Sequence, residues 1–384
     1  MNILFYDTGS YTYNDLLYHF EKLGHTCNFM LYLFPNPFED EFFCERMQQE
    51  LHAQKYDLVF SVNFFPLVAT VCKENNIPYL SWSYDSPIDE KYAPYFEMET
   101  NYICLFDRAE VTRYQNAGFT RVFHFPLAVN TERLEKQLQG VPTPIPYIAD
   151  ASFVGQLYAT NDLDLLLSKS NDYIRGYTES IIQAQLRIYG YNLINDVIPD
   201  ELYNTLNDIY MKNSVPPTPL PRDGFIHSIL KQVTRRERIF LLEELANYFK
   251  VEHFSQSKYN FRTPVLHMPS VDYYKEMPLV FRTSKLNLCP TLRSIQSGMP
   301  LRALDIMGSG GTLFSNYQAE LAENFANDEE VIMYSSMEEA IDKAHFYLSN
   351  DSVREAIAQN GFKKTKKCFD YTVALPKLLD MIKK

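Results

Sequence analysis

The sequence predicts an α/β fold with two doubly wound domains, because apolar strand-like runs alternate with helix-period segments in both halves of the chain. The runs are continuously apolar, which is typical of parallel strands that helices cover on both faces. A chain of 384 residues is longer than a single hydrophobic core usually organises, so two domains of ordinary size are expected. The hydrophobic fraction of 46% and the aromatic fraction of 15% suffice for two packed cores and exclude a disordered chain.

The first domain is predicted to span residues 1–145. It opens with the strand NILFYD and a helix that ends at Gly24, which together form a βα unit. Further strand-like runs follow at CNFMLYLF, YDLVFSV, IPYLSWSYD, NYICLFD and RVFHFPLAV, with helical stretches such as DEFFCERMQQELHAQ and AEVTRYQNAG between them. This order predicts a mostly parallel sheet covered by helices.

The second domain is predicted to span residues 146–365, after the linker VPTPIPYIAD. It begins with the strand ASFVGQLY, and residues 160–230 then form a helical, irregular insertion. The βα rhythm returns with the helix RRERIFLLEELANYF and the runs KVEHFS, PVLHMPS, KLNLCP, GGTLFSN and VIMYSS. Residues 366–384 are expected to form a C-terminal helix placed against the first domain.

Two helix starts are predicted in the last part of the second domain. Ser336 with Glu339, and Ser352 with Glu355, have the spacing of a capping box. Gly361, preceded by an asparagine, is predicted to end the second of these helices.

Charge and targeting signals limit the function classes. A net charge of −12 repels a nucleic-acid backbone, so nucleic-acid binding is not expected. The stretch MNILFYDTGSYT lacks a basic leader, and no apolar run approaches the ~20 residues that span a bilayer. The six cysteines form no CxxC pair, so neither a disulfide framework nor a zinc site is predicted. A cytoplasmic protein without a membrane span is expected.

The stretch SGMPLRALDIMGSGG, residues 297–311, is the most informative part of the sequence, because four of the chain's 13 glycines lie in it. Pro300 predicts the start of a short helix that ends at Gly308, with Ser297 and Gly298 in the loop before it. A helix start presents free backbone N–H groups and a positive dipole end, and Gly298 lets a ligand approach the backbone closely. This stretch therefore predicts an anion site.

Arg302 and Asp305 lie three residues apart, on one face of that helix. A guanidinium can bind a diphosphate, and a carboxylate can accept hydrogen bonds from two sugar hydroxyls. The pair is thus consistent with a nucleotide-sugar site. It is equally consistent with a surface ion pair that contributes little to stability.

Two segments of the second half resemble the C-terminal donor-binding domain of the CgeB-like bacterial glycosyltransferases, which are related to the group 1 (GT-B) transferases. The two segments are TSKLNLCPTLRSIQSGMPLRALDIMGSGGTLFSNYQAELAENF and EEVIMYSSMEEAIDKAHFYLSNDSVREAIAQNGFKK. The stretches YDLVFSVNFFP, IPYLSWSYDSP, LFDR and HFPLAVN are similar to the family's amino-terminal domain. The resemblance covers most of the chain apart from the insertion at 160–230, and it implies a GT-B fold of two facing Rossmann-like domains. The C-terminal domain would hold the donor nucleotide and the N-terminal domain the acceptor.

The resemblance also implies roles for residues of the donor domain. Asp305 takes the place of the glutamate that binds the donor ribose in many of these transferases, whereas Ser297 stands where related families have a second glutamate. This departure leaves open how the transferred sugar is contacted, and hence the stereochemical outcome. Arg293 would lie in the loop that faces the diphosphate, and Arg302 would contribute to the site or support that loop from behind. Gln296, Ser297, Gly298 and Met299 complete the expected donor loop.

Further donor contacts are expected at the ends of two strands. Gly155 would permit close approach of a phosphate, although a glycine in a tight strand–helix turn has the same appearance. His267 and Met268 lie where related folds bind the nucleotide base.

Candidate acceptor-side residues follow strands of the first domain. Asp85 and Trp82 lie at the end of an apolar run, where a parallel sheet faces its ligand crevice. Asp85 would meet the acceptor hydroxyl and act as a base if the reaction inverts, or it forms an ordinary Asp-Ser-Pro turn. Asp7, Gly9 and Ser10 have a similar position after the first strand. Gly9 is equally consistent with a simple turn of the chain.

These observations predict a hexosyltransferase that uses a nucleoside diphosphate sugar, UDP-linked. The resemblance implies that the acceptor is a glycan or a protein at the bacterial surface. Catalysis would rest on positioning by Asp85 and on charge stabilisation by the helix start with Arg293 or Arg302. Retention of configuration is favoured. No cofactor or metal is expected, because no DxD pair stands in a donor loop; the DLD at 162–164 lies in the insertion. The oligomeric state is left open.

Two other functions remain consistent with the sequence. One is an epimerase-like GT-B enzyme that acts on the donor alone, and the other is a non-catalytic nucleotide-sugar binder. A dinucleotide-dependent dehydrogenase is disfavoured, because DTGSYT rather than G-x-G-x-x-G follows the first strand.

Overall fold

The structure is a computed structural model that describes residues 1–159 and 162–383. These residues form twelve β-strands and sixteen α-helices. The chain divides into two compact units. The first comprises residues 1–133, 297–304 and 364–384, and the second comprises residues 134–296 and 305–363.

The first unit contains a six-stranded, wholly parallel sheet. Its strands are β1 (Asn2–Asp7), β2 (Thr26–Leu31), β3 (Leu58–Val62), β4 (Tyr79–Ser83), β5 (Asn101–Leu105) and β6 (Val122–His124), in the order β2-β1-β3-β4-β5-β6. Every residue of β3 and β4 is buried. The burial of every position, including Ser61 and Ser81, reflects helices on both faces of the sheet.

Helices follow the strands of the first unit as βα units. They are α1 (Tyr13–Lys22), α2 (Glu41–Ala53), α3 (Pro66–Glu74), α4 (Arg108–Asn116) and α5 (Thr131–Leu138), with a 3₁₀ helix at Glu90–Tyr95. Asp40 caps α2 and Asp107 caps α4 through side-chain bonds to backbone N–H groups. Aromatic side chains such as Tyr6, Phe43 and Phe64 fill the core between the sheet and these helices.

The second unit contains a second six-stranded parallel sheet, in the order β12-β11-β10-β7-β8-β9. Its strands are β7 (Ala149–Val154), β8 (Val251–Phe254), β9 (Leu266–Met268), β10 (Ser284–Cys289), β11 (Leu313–Asn316) and β12 (Ile332–Tyr334). The order reverses between β7 and β10, which is where ligands bind in open α/β sheets.

A helical insertion separates β7 from β8. It comprises α6 (Asp162–Ser168), α7 (Asp172–Leu186), α8 (Ile194–Val197), α9 (Asp200–Asn213) and α10 (Arg222–Ala246). The insertion has an apolar core of its own, which includes Leu206, Phe225 and Ile229. The 25-residue helix α10 continues from this core into the core of the sheet, where Leu241 and Leu245 are buried.

The remaining helices follow the later strands. They are α11 (Met277–Thr283), α12 (Leu301–Gly308), α13 (Ala319–Asn324), α14 (Met337–Ser349), α15 (Asp351–Cys368) and α16 (Tyr371–Asp380), with a 3₁₀ helix at Met381–Lys383. In the first unit, Asp370 caps α16 and accepts a hydrogen bond from the Thr131 hydroxyl at 2.6 Å.

The architecture confirms the predicted α/β class, with two parallel sheets and a helical insertion in the second. Each of the twelve predicted strand-like runs overlaps one observed strand. Strand β7 begins at Ala149, within the last two residues of the predicted linker. The Ser336 cap is also confirmed, because its hydroxyl accepts a hydrogen bond from the Glu339 N–H at 3.0 Å.

The predicted helix from Ser352 to Gly361 is wrong at both ends. Helix α15 already begins at Asp351 and continues through Gly361 to Cys368. A Cβ atom at Gly361 would lie 2.4 Å from the backbone oxygen of Glu330. The glycine therefore permits close packing within a helix instead of ending it.

Across residues 1–159 and 162–383, no helix is both long and apolar enough to cross a membrane.

Candidate functional site

The predicted acceptor-side residues lie at the carboxyl ends of β1 and β4, in the first unit. Asp7 is fully buried, and its Oδ2 atom accepts hydrogen bonds from the backbone N–H groups of Gly9, at 3.2 Å, and Ser10, at 2.9 Å. The Ser10 hydroxyl donates to the same oxygen. Gly9 has φ +96°, which side chains rarely allow, so these three residues build the turn between β1 and α1.

Trp82 lies in the core of the first unit. Its side chain is 0% exposed and packs edge-on against Tyr84, Phe125 and Tyr371. As it stands, the indole ring cannot touch a ligand at the surface.

Asp85, in contrast, is exposed, and its carboxylate is held on one side. Its Oδ2 atom accepts a hydrogen bond from Asn63 Nδ2 at 2.7 Å. Asn63 follows β3, so the contact joins the carboxyl ends of two neighbouring strands.

The loop after Asp85 is anchored by a buried glutamate on α4. Glu110 is 4% exposed and accepts hydrogen bonds from the Ile88 N–H at 2.7 Å and the Ser86 hydroxyl at 2.8 Å. Burial raises the pKa of this carboxyl to about 7. Asp85 thus lies on a loop that is fixed from both β3 and α4.

The first part of the glycine cluster also belongs to the first unit, where it contacts the start of α4. The Ser297 hydroxyl donates to Asp107 Oδ1 at 2.7 Å and accepts from the Ala109 N–H at 2.9 Å. A Cβ atom at Gly298 would lie 2.9 Å from the Cα atom of Asp107 and from the ring of Phe106. The prediction gave Gly298 a role in ligand approach, but its missing side chain permits this close packing.

The helix that follows, α12, begins one residue after Pro300 and ends at Gly308, as predicted to within one residue. Met299 is buried, and Arg302 is partly exposed.

In the second unit, Gly155 follows β7 at the reversal of strand order. Its carbonyl oxygen accepts a hydrogen bond from His253 Nε2 at 2.9 Å, which fixes the ring proton on that nitrogen. Burial lowers the pKa of His253 and favours this neutral ring. A Cβ atom at Gly155 would lie 3.0 Å from the Phe153 ring, so the glycine also permits close packing of that ring.

His267 and Met268 form the end of β9 and are partly exposed. The His267 Nδ1 atom is buried and has no hydrogen-bond partner among the described residues. Its ring lies 6.0 Å from that of His253, so the carboxyl ends of β8 and β9 carry adjacent imidazoles.

Asp305 lies on α12 and is 5% exposed. Its Oδ1 atom accepts a hydrogen bond from the Tyr273 hydroxyl at 3.0 Å. Tyr273 follows β9, in the segment directly after His267 and Met268. The contact therefore brings the predicted ribose-binding carboxylate to the segment expected to bind the base.

Arg293 is buried in the second unit, not exposed in a loop. It is 7% exposed, its Nε atom donates to Glu237 at 2.7 Å, and its Nη1 atom donates to the Ile188 carbonyl at 2.9 Å. Its guanidinium carbon lies 3.9 Å from the centre of the Tyr189 ring. These contacts fasten the β10–α12 loop to α10 and to the end of α7. Gln296, further along this loop, is partly exposed.

A cavity of about 970 Å³ lies beside this ion pair, and Glu237 and Tyr189 are among its lining residues. None of the predicted donor residues lines it. In the described part of the chain, no three His, Cys, Asp or Glu side chains come together as a possible metal site.

Sequence reasoning missed three residues that hydrogen-bond to predicted site residues. They are Asn63, which contacts Asp85, Tyr273, which contacts Asp305, and Glu237, which contacts Arg293. Asn63 carried a weak signal, because a polar residue directly after an apolar strand commonly lies at the ligand edge of a sheet. Glu237 lies within a regular helical pattern 56 residues from Arg293 in the sequence, so no local pattern indicates that they pair.

Residues 235–380 match a family model described as glycosyl transferase-like. The match begins inside α10 and covers β8 to β12, together with the loop that carries Tyr273 and the helix α12 that carries Asp305. This part of the chain therefore carries a glycosyl transferase-like domain, as expected for a group 1 transferase. The CgeB-like subgroup stays a prediction. A search of curated proteins found no match.

Several solved structures are similar to the whole chain. A sucrose-phosphate synthase from Thermosynechococcus elongatus is 11% identical with a TM-score of 0.54, over 100% of this chain and 98% of its own. The HepE protein of Anabaena, solved in complex with UDP, is 11% identical with a TM-score of 0.51, over 100% of both chains. A UDP-forming α,α-trehalose-phosphate synthase from Burkholderia xenovorans is 13% identical with a TM-score of 0.52, over 99% of this chain and 98% of its own. These likenesses confirm the GT-B fold, and at such identities they show the fold alone.

Proposed function

We propose that the chain is a glycosyltransferase that moves a hexose from a UDP-linked donor to an acceptor hydroxyl on a glycan or a surface protein. One observation carries the proposal. The glycosyl transferase-like segment, residues 235–380, contains a buried carboxylate, Asp305, that the Tyr273 hydroxyl orients at 3.0 Å.

Asp305 is proposed to bind the donor ribose. A carboxylate can accept hydrogen bonds from two adjacent hydroxyls, and Tyr273 restricts the orientation of this one. His267 and Met268 precede Tyr273 and are proposed to contact the base, with Gly155 near the phosphates. UDP is the favoured nucleotide, because one neighbour of the same fold was solved with UDP and another is described as UDP-forming.

The reaction needs positive charge where the diphosphate departs. The acceptor oxygen forms a bond to the anomeric carbon, the bond from that carbon to the diphosphate oxygen breaks, and its electron pair leaves with the diphosphate. Arg302 and the backbone N–H groups at the start of α12 are proposed to stabilise this charge. On this scheme no metal is required. Arg293 is assigned a supporting role, because its guanidinium is bonded to Glu237 and Ile188.

Asp85 is proposed to orient the acceptor hydroxyl by accepting its hydrogen bond. It is the predicted acceptor-side residue with an exposed carboxylate. We expect retention of configuration, in which the hydroxyl proton leaves with the diphosphate. In an inverting reaction Asp85 would take that proton itself.

The test is to incubate the protein with UDP-, GDP- and dTDP-hexoses and to measure released nucleotide and the sugar product. We expect release of UDP from one UDP-hexose, with water as a slow acceptor, and loss of this release in Asp305→Ala. The control Asp342→Ala removes an exposed carboxylate from α14 and should release UDP at the wild-type rate.

Other outcomes would contradict the proposal in distinct ways. Isomerised donor without released nucleotide would indicate an epimerase. Binding without any turnover would indicate a nucleotide-sugar binder, and the absence of binding would exclude a donor site.

A further inference from the structure

Asn63 has an unusual backbone conformation at the carboxyl end of β3. Its φ is +66°, in the left-handed region that residues other than glycine seldom occupy. Its N–H donates to the Trp82 carbonyl at 3.0 Å, and its own carbonyl accepts from the Ser61 hydroxyl at 2.6 Å. The fold thus imposes this conformation through β4 and through the preceding strand. Such conformations are concentrated at functional sites.

The Asn63 side chain makes three hydrogen bonds to the segment that carries Asp85. Its Oδ1 atom accepts from the backbone N–H groups of Tyr84, at 2.8 Å, and Asp85, at 3.3 Å. Its Nδ2 atom donates to Asp85 Oδ2 at 2.7 Å. One amide therefore fixes both the backbone before the carboxylate and one of the two carboxylate oxygens.

The second oxygen of Asp85 remains available. Asp85 is exposed, and its Oδ1 atom has no hydrogen-bond or ion-pair partner among residues 1–159 and 162–383. The uncharged Asn63 amide orients the carboxylate and leaves its negative charge in place. A lysine or arginine at this position would neutralise that charge. A hydroxyl that approached Oδ1 would meet a negatively charged acceptor in a fixed direction.

We propose that Asn63 is a positioning residue, which holds the Asp85 carboxylate so that Oδ1 receives the acceptor hydroxyl. This inference rests on the proposed function and extends it to a residue that does not touch the substrate.

The residue type fits both requirements of this position. Asparagine tolerates the left-handed region better than most residues, and its amide supplies an acceptor and a donor together. Glycine would meet the backbone requirement without any amide. Aspartate would keep the acceptor for the two N–H groups, but it would turn an oxygen toward Asp85. These two substitutions therefore separate the contributions of the backbone and the amide.

The experiment measures kcat and KM for release of UDP from UDP-glucose, or from the UDP-hexose that the wild type hydrolyses fastest, together with the Tm. Asn63→Asp is expected to lower kcat at least tenfold with little change in the donor KM, and Asn63→Gly should do the same. Asn76→Asp is the matched control, because Asn76 also has a positive φ, +52°, but is exposed and does not contact Asp85. It should keep the wild-type kcat.

The double variant Asn63→Asp/Asp85→Asn separates positioning from a purely structural role. It restores the hydrogen bond with donor and acceptor exchanged, so the Tm should return toward the wild-type value. The kcat should stay low, because no carboxylate remains at position 85.

Recovery of kcat in the double variant would overturn the inference, and so would a wild-type kcat in Asn63→Asp. If the wild type releases no UDP from any donor, the proposed function fails and the inference fails with it.

Discussion

At the scale of single residues, buried carboxylates that accept hydrogen bonds hold the loops at the strand ends. Asp7 closes the turn after β1, and Glu110 anchors the loop after β4. In the second unit, Glu237 fixes the loop after β10 by pairing with Arg293. Burying a carboxylate without such partners would cost several kcal/mol.

Glu110 should make the stability of the chain depend on pH. Burial raises its pKa to about 7 from the value of 4.5 in an unfolded chain. The folded state then binds the proton more tightly, so the resulting stabilisation is complete below pH 4.5 and is lost as the pH rises to 7. Glu110→Gln should remove this dependence, which amounts to roughly 3 kcal/mol.

The measurement is the free energy of unfolding in urea from pH 4.5 to 7.5 for the wild type and Glu110→Gln. The control Glu45→Gln changes an exposed glutamate on α2 and should follow the wild-type curve. Parallel curves for the wild type and Glu110→Gln would contradict the prediction.

Tyr273 should contribute to donor binding through Asp305. Tyr273→Phe removes the hydroxyl that donates to Asp305 at 3.0 Å. A hydrogen bond to a charged group contributes roughly 1.5–3 kcal/mol, so the KM for the UDP-hexose should rise at least tenfold while kcat changes little. Tyr248→Phe, at an exposed tyrosine beyond α10, is the control. An unchanged KM in Tyr273→Phe would contradict the prediction that Tyr273 supports donor binding through Asp305.

At the scale of elements, two helical glycines have opposite surroundings. Gly361 of α15 lies against the backbone of Glu330, with 2.4 Å between a built Cβ atom and the carbonyl oxygen. Gly176 of α7 has no atom within 4 Å of the same position. The first glycine is required by packing, whereas the second only weakens its helix.

Alanine should therefore have opposite effects at these two positions. Gly361→Ala is expected to lower the free energy of unfolding by about 2 kcal/mol, because backbone must move to accept the methyl group. Gly176→Ala should raise it by about 0.5–1 kcal/mol. The measurement is the free energy of unfolding in urea for both variants and the wild type. Equal values for Gly361→Ala and the wild type would contradict the prediction.

Helix α10 shows how one element can belong to two cores. Its first half packs with Leu206 and Ile182 in the insertion, and its second half packs on the second sheet through Leu241 and Leu245. The sequence indicates a helix only from RRERIF onward, because the preceding proline cluster and Gly224 obscured its first turns. Tertiary packing on the insertion core compensates for this weak local propensity.

At the scale of the whole molecule, the strands were predictable because burial on both faces of a sheet requires consecutive apolar residues, which are visible in the local sequence. NILFYD, for example, has four apolar residues in a row, and this pattern can be recognised without any knowledge of the partner strands. The helix after Pro300 was predictable for a different local reason, since proline and glycine mark its ends.

The contacts within the candidate site could not be predicted, because they join distant parts of the sequence. From the sequence, Arg293 is expected to be a cation in a loop, but in the structure it is buried and paired with Glu237. Gly298 packs closely against Phe106 and Asp107, and no local pattern indicates that contact. Residue type and spacing identify the candidates, but pairing over long sequence separations decides what each side chain does.

The most direct test of the account is calorimetric titration of UDP into the wild-type chain and into Asp305→Ala. The account predicts that one UDP binds per wild-type chain and that Asp305→Ala binds it at least tenfold more weakly, a loss of about 1.4 kcal/mol. The absence of UDP binding to the wild type, or equal affinity in the two proteins, would contradict a donor site at Asp305.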